Sequence, residues 1–174
     1  SGGDFKSMMR LNWTNANQWN DRMLGCAMTI RGLSIPVIAM VNGWCMGGGN
    51  ELALWCDLVV CSENAVFGQT GAKVGACPTV GATQYLPRVI GERLARGMIF
   101  CARTFTGREA EEIGLANRCV PLDELEATTL RMCETIKSHS PQTLRVTKRS
   151  LNHESDNLYA SWQSGMELLA HVWG

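Results

Sequence analysis

The chain has 174 residues and a formal net charge of zero, with 16 basic and 16 acidic side chains. This length is enough for one domain with a substantial core. The balanced charge gives no electrostatic reason to expect nucleic acid or an anionic membrane as a partner, and no apolar stretch is long enough to span a membrane. The cluster of cations at Arg145, Lys148 and Arg149 is predicted to be a solvated helix face.

Eight cysteines and three histidines are the residues that could suggest a metal or a disulfide framework. No two cysteines form a Cys-x-x-Cys pair and the histidines lie in the last third of the chain, so we expect no zinc site. Most of the cysteines lie among apolar residues, where cysteine acts as a small hydrophobe. A reducing cytoplasm is the predicted location. Residues 1–4 lack the basic start and apolar stretch of a signal peptide.

The first part of the chain alternates predicted helices and strands, which indicates an α/β fold. The helix before the first strand is predicted from Trp19, Met23, Cys26 and Ile30, which recur at helical spacing. In chain order the predicted elements are a loop (1–16), a helix (about 17–31), a strand (36–41), a helix (51–56) and two short strands (58–61 and 65–67).

A long glycine-studded loop over residues 68–81 follows, and such a loop is expected to line a site. Thr106 and Glu109 have capping-box spacing, which predicts a short helix ending at Gly114. We expect the later helices to be packing surfaces within or between subunits. The remaining predicted elements are a helical run interrupted at Gly91 (82–101), a strand (115–120), a helix (about 125–136), a helix with proline at its first position (from 141) and a final apolar stripe (158–173).

The glycine-rich stretch over residues 41–51 lies where the buried strand hands over to a helix. Glycine lets backbone approach a ligand closely, and the first amides of a helix are unpaired and carry partial positive charge. These features predict a site for a bound anion or for an oxyanion that develops during a reaction. Glu51, just inside the helix, can face the same cavity. A plain strand-turn-helix is the alternative, because the glycines match neither a dinucleotide fingerprint nor a phosphate loop.

Four stretches of the chain, in order, resemble the crotonase superfamily, the enoyl-CoA hydratase/isomerase group. They are residues 1–4, residues 36–57, residues 65–69, and residues 106–110 together with 114–117. The resemblance implies a single α/β domain. Within it, an incomplete crotonase-like ββα spiral would occupy residues 1–120 and C-terminal helices would occupy residues 121–174.

The resemblance also carries expectations about the whole protein. Members of the group have strands before the segment that matches Ser1 and a helix beyond the position of Gly174, so the chain is expected to be a partial domain. They form trimers, often paired into hexamers, and act on acyl-CoA substrates. Coenzyme A is then part of the substrate, and no separate cofactor or metal is expected.

The catalytic residues are carried over from the resemblance by motif. A thioester carbonyl lies between two backbone amides that stabilise the enolate oxygen, and these amides would belong to Gly3 and Gly48. Losing one such donor costs about two to three decades in rate. The first of the two hydratase glutamates falls on Glu51 and the second on Gly71, which has no side chain. Glu51 would therefore be the single acid or base, or only a favourable charge at a helix start.

Further substrate contacts are expected around the same site. They are Gly2, Trp44, Gly47, Gln69, Thr70, Gly71 and Cys77. Trp13, Trp19 and Trp44 could wall an acyl group, although the helical stripe favours core packing for Trp19. Cys77 could face the pocket, but its sequence neighbours offer no activating group, so a nucleophile is not predicted there.

The loop over residues 68–75 is more similar to the dihydroxynaphthoyl-CoA synthases and alicyclic ring hydrolases than to the hydratases. In synthases without the second carboxylate, a bicarbonate near the stretch matching residues 69–71 can act as base. Those branches place serine and aspartate where this chain has Ala76 and Pro78, and the bicarbonate-binding tryptophan falls on Ile99. Synthase chemistry is therefore not favoured.

Two hypotheses of different class follow. The first is an acyl-CoA enzyme that adds water to an unsaturated acyl-CoA. Its runner-up is hydrolytic opening of a cyclic oxo-acyl-CoA, because residues 80–83 and 86–87 resemble the 6-oxocyclohexene-carbonyl-CoA type of ring hydrolase, which keeps a glutamate at the position of Glu51. The second is a non-catalytic CoA-binding subunit, which the missing side chain at Gly71 motivates.

Overall fold

The computed structural model describes residues 2–12 and 15–172. The helices are α1 (Phe5–Met8), α2 (Ala16–Gly32), α3 (Gly48–Trp55), α4 (Ala82–Ile90), α5 (Glu92–Phe100), α6 (Gly107–Glu112), α7 (Leu125–Lys137), α8 (Pro141–Asp156) and α9 (Tyr159–Val172). The strands are β1 (Ile38–Val41), β2 (Trp44–Met46), β3 (Leu58–Ser62), β4 (Val66–Gly68), β5 (Thr104–Thr106) and β6 (Arg118–Val120). The α/β class predicted from the sequence is confirmed.

The strands form two small sheets. One has the order β1-β3-β6 and is parallel throughout, with Ile38 opposite Leu58 and Val60 opposite Arg118. The other has the order β2-β4-β5, in which β2 and β4 are parallel and β4 and β5 antiparallel. Parallel neighbours require crossover connections, and α3 lies in the connection from β1 to β3. Helix α3 therefore directly follows β2 of one sheet and leads to β3 of the other.

The helix predictions agree with the structure more closely than the strand predictions do. The helix expected over 17–31 is α2, and the helical run interrupted at Gly91 is α4 and α5. The capping box at Thr106 and Glu109 is present at the start of α6. Strands β2 and β5, of three residues each, were not predicted, and the short helix α1 lies where a loop was expected.

Two boundaries differ for identifiable reasons. Helix α3 begins at Gly48, three residues before the predicted start, because the carbonyl of Gly47 already accepts a hydrogen bond from the amide of Glu51. Strand β6 begins at Arg118 rather than at residue 115, because the amides of the two residues after Gly114 donate to the carbonyl of Ala110 at the end of α6. In the first place the helix is longer than predicted, and in the second the bonds that close α6 occupy backbone that had been assigned to a strand.

The principal core lies between the sheets and helices α4 to α6. It contains Phe67, Leu86, Met98 and Phe105, each at most 1% exposed. A second cluster joins Trp55, Tyr85 and Trp162, with ring centroids 4.3 to 5.3 Å apart. Offset and edge-on aromatic contacts at these distances are favourable. Helix α9 is thus packed against the end of α3.

Lys148 of α8 corrects the prediction of a solvated cationic face. Its side chain is only 4% exposed, and its Nζ lies 2.7 Å from Oδ2 of Asp57. The same Nζ donates to the carbonyls of Ile30 and Ile35, each at 3.0 Å. Helix α8 therefore lies against the end of α2 and the approach to β1. Arg145 and the remaining arginine of the cluster are exposed, as predicted.

No helix among the described residues is both long and apolar enough to cross a bilayer. The eight cysteines are all free thiols, and in the described parts of the chain no group of three or more His, Cys, Asp or Glu side chains is placed to hold a metal ion.

Candidate active site

The turn between β2 and α3 holds the peptide unit between Gly47 and Gly48 in a fixed orientation. Gly47 has φ of 52°, in the left-handed region where glycine is favoured. Its amide donates to the carbonyl of Gly68 at 2.9 Å, and its carbonyl accepts from the amide of Glu51 at 2.9 Å. Because the Gly47 carbonyl and the Gly48 amide belong to the same peptide plane, these bonds fix the direction of the Gly48 N–H.

The glycines near the start of the chain lie against this turn. A Cβ on Gly2 would come within 2.6 Å of the carbonyl oxygen of Met46, so backbone approaches backbone there with no room for a side chain. The amide nitrogen of Gly3 lies 3.6 Å from the place where a Cβ of Gly48 would stand. The two amides proposed from the motif are therefore neighbours in space, although 45 positions separate them in the sequence.

Glu51 is buried in the first turn of α3, with 5% of its surface exposed. Burial raises the pKa of Glu51 to about 7, and hydrogen bonding to the backbone of Ala82 and Val80 opposes this rise. Its Oε1 has no hydrogen-bond partner among the described residues. A carboxyl group with a pKa close to neutral can both take and return a proton at physiological pH.

A cavity of about 190 Å³ brings these groups together. Nine of the ten predicted site residues line it: Gly2, Gly3, Gly47, Gly48, Glu51, Gln69, Thr70, Gly71 and Cys77. Their catalytic and binding roles stay predictions, but the structure brings segments from three distant parts of the chain to one place. Apolar side chains such as Met23, Val74 and Val80 form much of the remaining wall.

Gln69 connects the end of β4 to the start of α3 inside this cavity wall. It is 1% exposed, and its Nε2 donates to Oδ1 of Asn50 at 2.8 Å and more weakly to the carbonyl of Gly47 at 3.4 Å. The Gly47 carbonyl accepts and cannot donate, which fixes Nε2 on that side of the amide. Oε1 of Gln69 has no partner in the described parts of the chain.

Gly71 stands where the resemblance places the second hydratase carboxylate. A Cβ at this residue would lie 2.3 Å from the carbonyl oxygen of Ala76. The carbonyl of Gly71 accepts from the amides of Val74 and Ala76, each at 2.9 Å, so the loop folds back on itself. No side chain fits at residue 71 without movement of the loop, and Glu51 is the one carboxylate among the described residues that line the cavity.

The tryptophans do not follow the predicted assignment. Trp44, expected to contact substrate, lies outside the cavity and is 66% exposed. It stands at the far end of β2, two residues or about 7 Å before Met46, which does line the cavity. Trp19, expected to pack in the core, instead lines the cavity and is half-buried. Trp13 lies outside the described residues.

Three methionines of the cavity wall were missed by the sequence analysis: Met8, Met23 and Met46. For one of them, Met23, the sequence contains a pattern that could have predicted its place. Met23 follows Trp19 by four residues, so both lie on one face of α2, and that face was attributed to the core although it covers the cavity. Met8 and Met46 lie in a short helix and a short strand that carry no periodic pattern.

Comparison with known proteins agrees with this geometry. The family described as enoyl-CoA hydratase/isomerase matches residues 1–171. The chain belongs to the enoyl-CoA hydratase/isomerase family. This is the crotonase group that the four sequence stretches indicated.

Solved structures extend the likeness to three dimensions. The enoyl-CoA hydratase of Bacillus anthracis is 30% identical over 95% of this chain and 67% of its own, with a TM-score of 0.84. That of Mycobacterium avium is 32% identical over 80% and 63%, with a TM-score of 0.76. DspI of Pseudomonas aeruginosa is 28% identical over 93% and 63%, with a TM-score of 0.79. The chain thus spans a little under two thirds of the length of several of its relatives.

Proposed function

We propose that this protein adds water to an enoyl-CoA thioester, with Glu51 as its single carboxylate and the amides of Gly3 and Gly48 as the oxyanion donors. The observation that supports this most directly is the placement of Glu51. It is a buried carboxyl group, with an oxygen that lacks a partner among the described residues, in the same small cavity as the two adjacent glycine amides.

The reaction requires one proton carrier. The carboxylate of Glu51 takes a proton from water as the water oxygen bonds to the β-carbon of the substrate. The electron pair of the C=C bond moves towards the thioester carbonyl, whose oxygen becomes an enolate held by the amides of Gly3 and Gly48. The resulting carboxylic acid of Glu51 then gives its proton to the α-carbon, and the carbonyl re-forms. Both additions take place on the side of the substrate that faces Glu51.

Two physical terms support this assignment. Pre-oriented amides at a developing oxyanion each contribute a few kcal/mol to lowering the barrier, and the bonds around Gly47 hold the Gly48 amide in place before substrate arrives. An acid or base whose pKa lies near the working pH is the most effective proton carrier. The pKa of Glu51, raised to about 7, satisfies this condition for both half-reactions.

The test uses the full-length protein with two substrate sets. Linear 2-enoyl-CoA thioesters should lose their ultraviolet absorbance as water adds, and cyclic oxo-acyl-CoA thioesters should not be opened. Turnover of the cyclic set alone would replace the proposal with ring hydrolysis. Binding of both sets without turnover of either would indicate a non-catalytic CoA-binding subunit.

Assembly and location are part of the same proposal. The family supports a homotrimer, often paired into a hexamer, and the eight free thiols support a reducing cytoplasm. Light scattering on the full-length protein at several concentrations checks the assembly, and a stable monomer would contradict it.

A further inference from the structure

Cys77 is a nucleophilic side chain in the cavity wall that the proposed reaction does not use. It is half-buried and lines the cavity that contains Glu51. It directly follows Ala76, whose carbonyl occupies the space beside Gly71. Val80, three residues after Cys77, forms a backbone hydrogen bond with the Glu51 side chain. The α-carbons of Cys77 and Val80 are therefore at most about 11 Å apart.

The other cysteines have surroundings that make them useful references. Burial raises the pKa of Cys45 to about 11 and that of Cys61 to about 12, which suppresses the thiolate at neutral pH. Cys26 and Cys101 are exposed but do not line the cavity. Among the described cysteines, Cys77 is the one placed against the predicted substrate.

Unpartnered polar atoms in the same cavity indicate that a ligand belongs there. Oε1 of Glu51 and Oε1 of Gln69 are both buried, with side chains 5% and 1% exposed, and neither has a hydrogen-bond partner within the described residues. Buried acceptors without partners are uncommon in native proteins because each one carries a desolvation cost. Cys77 therefore lines the same cavity as two residues with unpartnered buried acceptors.

We propose that Cys77 is a covalent modification site for α,β-unsaturated acyl thioesters. The inference rests on the proposed function, since the substrate of that reaction is itself an electrophile whose carbonyl the amides of Gly3 and Gly48 polarise. The Cys77 sulfur bonds to the β-carbon, and the electron pair of the C=C bond passes to the enolate. The thiol proton passes through the carboxylate of Glu51 to the α-carbon.

The addition is balanced without a further reactant. The elements of S–H are added across the double bond, nothing is oxidised or reduced, and no group leaves, so the adduct keeps its coenzyme A. Removal of the α-proton by Glu51 expels the thiolate again and returns the substrate. Cys77 and water therefore compete for the same carbon atom, and the adduct is a reversible side state of the enzyme.

Proximity makes the modification selective. A thioester held in the cavity meets Cys77 at an effective concentration far above that of free substrate, and well-oriented intramolecular reactions gain several decades in rate this way. Cys26 and Cys101 meet only substrate in solution. We expect Cys77 to be modified at least tenfold faster than either of them.

The experiment incubates the full-length protein with 2-butenoyl-CoA and maps the adduct by peptide mass spectrometry. The adduct should be confined to Cys77, lost in Cys77→Ser and kept in the control Cys101→Ser. The saturated thioester butanoyl-CoA should form no adduct, but should slow alkylation of Cys77 by acrylamide without protecting Cys101.

The outcomes separate this inference from the proposed function. Hydration without an adduct on Cys77, or an adduct spread equally over Cys26 and Cys101, overturns the inference and leaves the function standing. Absence of both hydration and protection by butanoyl-CoA overturns the proposed function itself. Because the site is mapped in the unmodified sequence and in Cys101→Ser, the result does not depend on the folding of Cys77→Ser.

Discussion

The two ends of helix α3 hold carboxylates in opposite circumstances. At its start, Glu51 is buried, and burial rather than a charged neighbour raises its pKa to about 7. Just past its end, Asp57 pairs with the ammonium of Lys148 at 2.7 Å and accepts from the amide of Val37 at 2.7 Å. Only five residues, 52–56, separate a carboxyl group with no charged partner from one that pairs with a lysine.

The difference teaches how to distinguish a functional acid from a structural one. A buried carboxyl without a charged partner destabilises the fold when it ionises, so its presence indicates a use in chemistry. A paired carboxylate holds parts of the chain together, here α8, the end of α2 and the approach to β1. Both residue types look alike in the sequence, since each simply flanks a helix.

The largest expected effect is on catalysis at the first end. Glu51→Gln should lower kcat for hydration by about a thousandfold, because it removes the proton carrier while keeping the shape of the side chain. The matched control is Glu92→Gln, which changes an exposed glutamate in the first turn of α5 and should leave kcat unchanged. Equal activity of Glu51→Gln and wild type would reduce Glu51 to a helix-dipole residue.

At the second end the expected effect is on stability. Asp57→Ala should lower the free energy of unfolding by about 3 kcal/mol, because it leaves the ammonium of Lys148 buried with only carbonyl acceptors. Glu92→Ala, which breaks an exposed pair with Arg96, should cost less than about 1 kcal/mol. Denaturant unfolding of the full-length protein measures both, and similar losses for the two variants would contradict the structural role of Asp57.

A smaller effect is expected on how the free energy of unfolding changes with pH, because of Glu51. The pKa of Glu51 is about 7 in the folded protein, whereas the ordinary value for a glutamate is 4.5. The folded protein therefore binds this proton more tightly than the unfolded chain does. The stability that this group contributes is present at low pH and is lost as pH rises towards 7. The advantage of Glu51→Gln over wild type should therefore grow by about 2 kcal/mol between pH 5 and pH 7 and level off above.

That expectation is checked by unfolding both proteins at matched pH values. Glu92→Gln is again the reference, because its glutamate is exposed. A gap between Glu51→Gln and wild type that stays constant with pH would show that the folded protein does not raise the pKa of Glu51.

The last expected effect is on the pH dependence of the rate. Hydration needs the carboxylate form of Glu51, so kcat/KM should fall about tenfold per pH unit below about 7 and be flat above it. Steady-state kinetics with one linear enoyl-CoA between pH 5 and pH 9 measures this. If the plot of kcat/KM against pH bends near pH 4.5 instead, Glu51 has the pKa of a solvent-exposed glutamate and is not buried.

The sequence predicted the helices and the family well, because periodic apolar spacing and capping residues are local signals. The capping box at Thr106 and the proline start of α8 are examples that the structure confirms. Strands β2 and β5 were not predicted, since three residues carry no measurable alternation. Strand β2 is also followed directly by the glycine turn that starts at Gly47, and glycines are uncommon in strand interiors.

The site was predicted through motifs, and the errors occurred where only packing decides. Sequence cannot tell that Lys148 reaches acceptors 91 to 118 positions away, so it was read as surface charge. Trp19 was expected to pack in the core but lines the cavity, because helical spacing identifies a covered face without saying whether core or cavity covers it. The contact between Gly71 and Ala76 was equally invisible, since a missing side chain leaves no pattern.

The closed turn at Gly71 also bears on how this site could change over generations. A single codon change there to glutamate would place Cβ within 2.3 Å of the carbonyl oxygen of Ala76, well inside any real contact distance. The same turn is held by bonds from the amides of Val74 and Ala76 to the carbonyl of Gly71, so the carbonyl of Ala76 moves away only if this turn changes shape. A second carboxylate at residue 71 therefore requires the loop over residues 71–76 to be reshaped first, so it is out of reach of a single substitution.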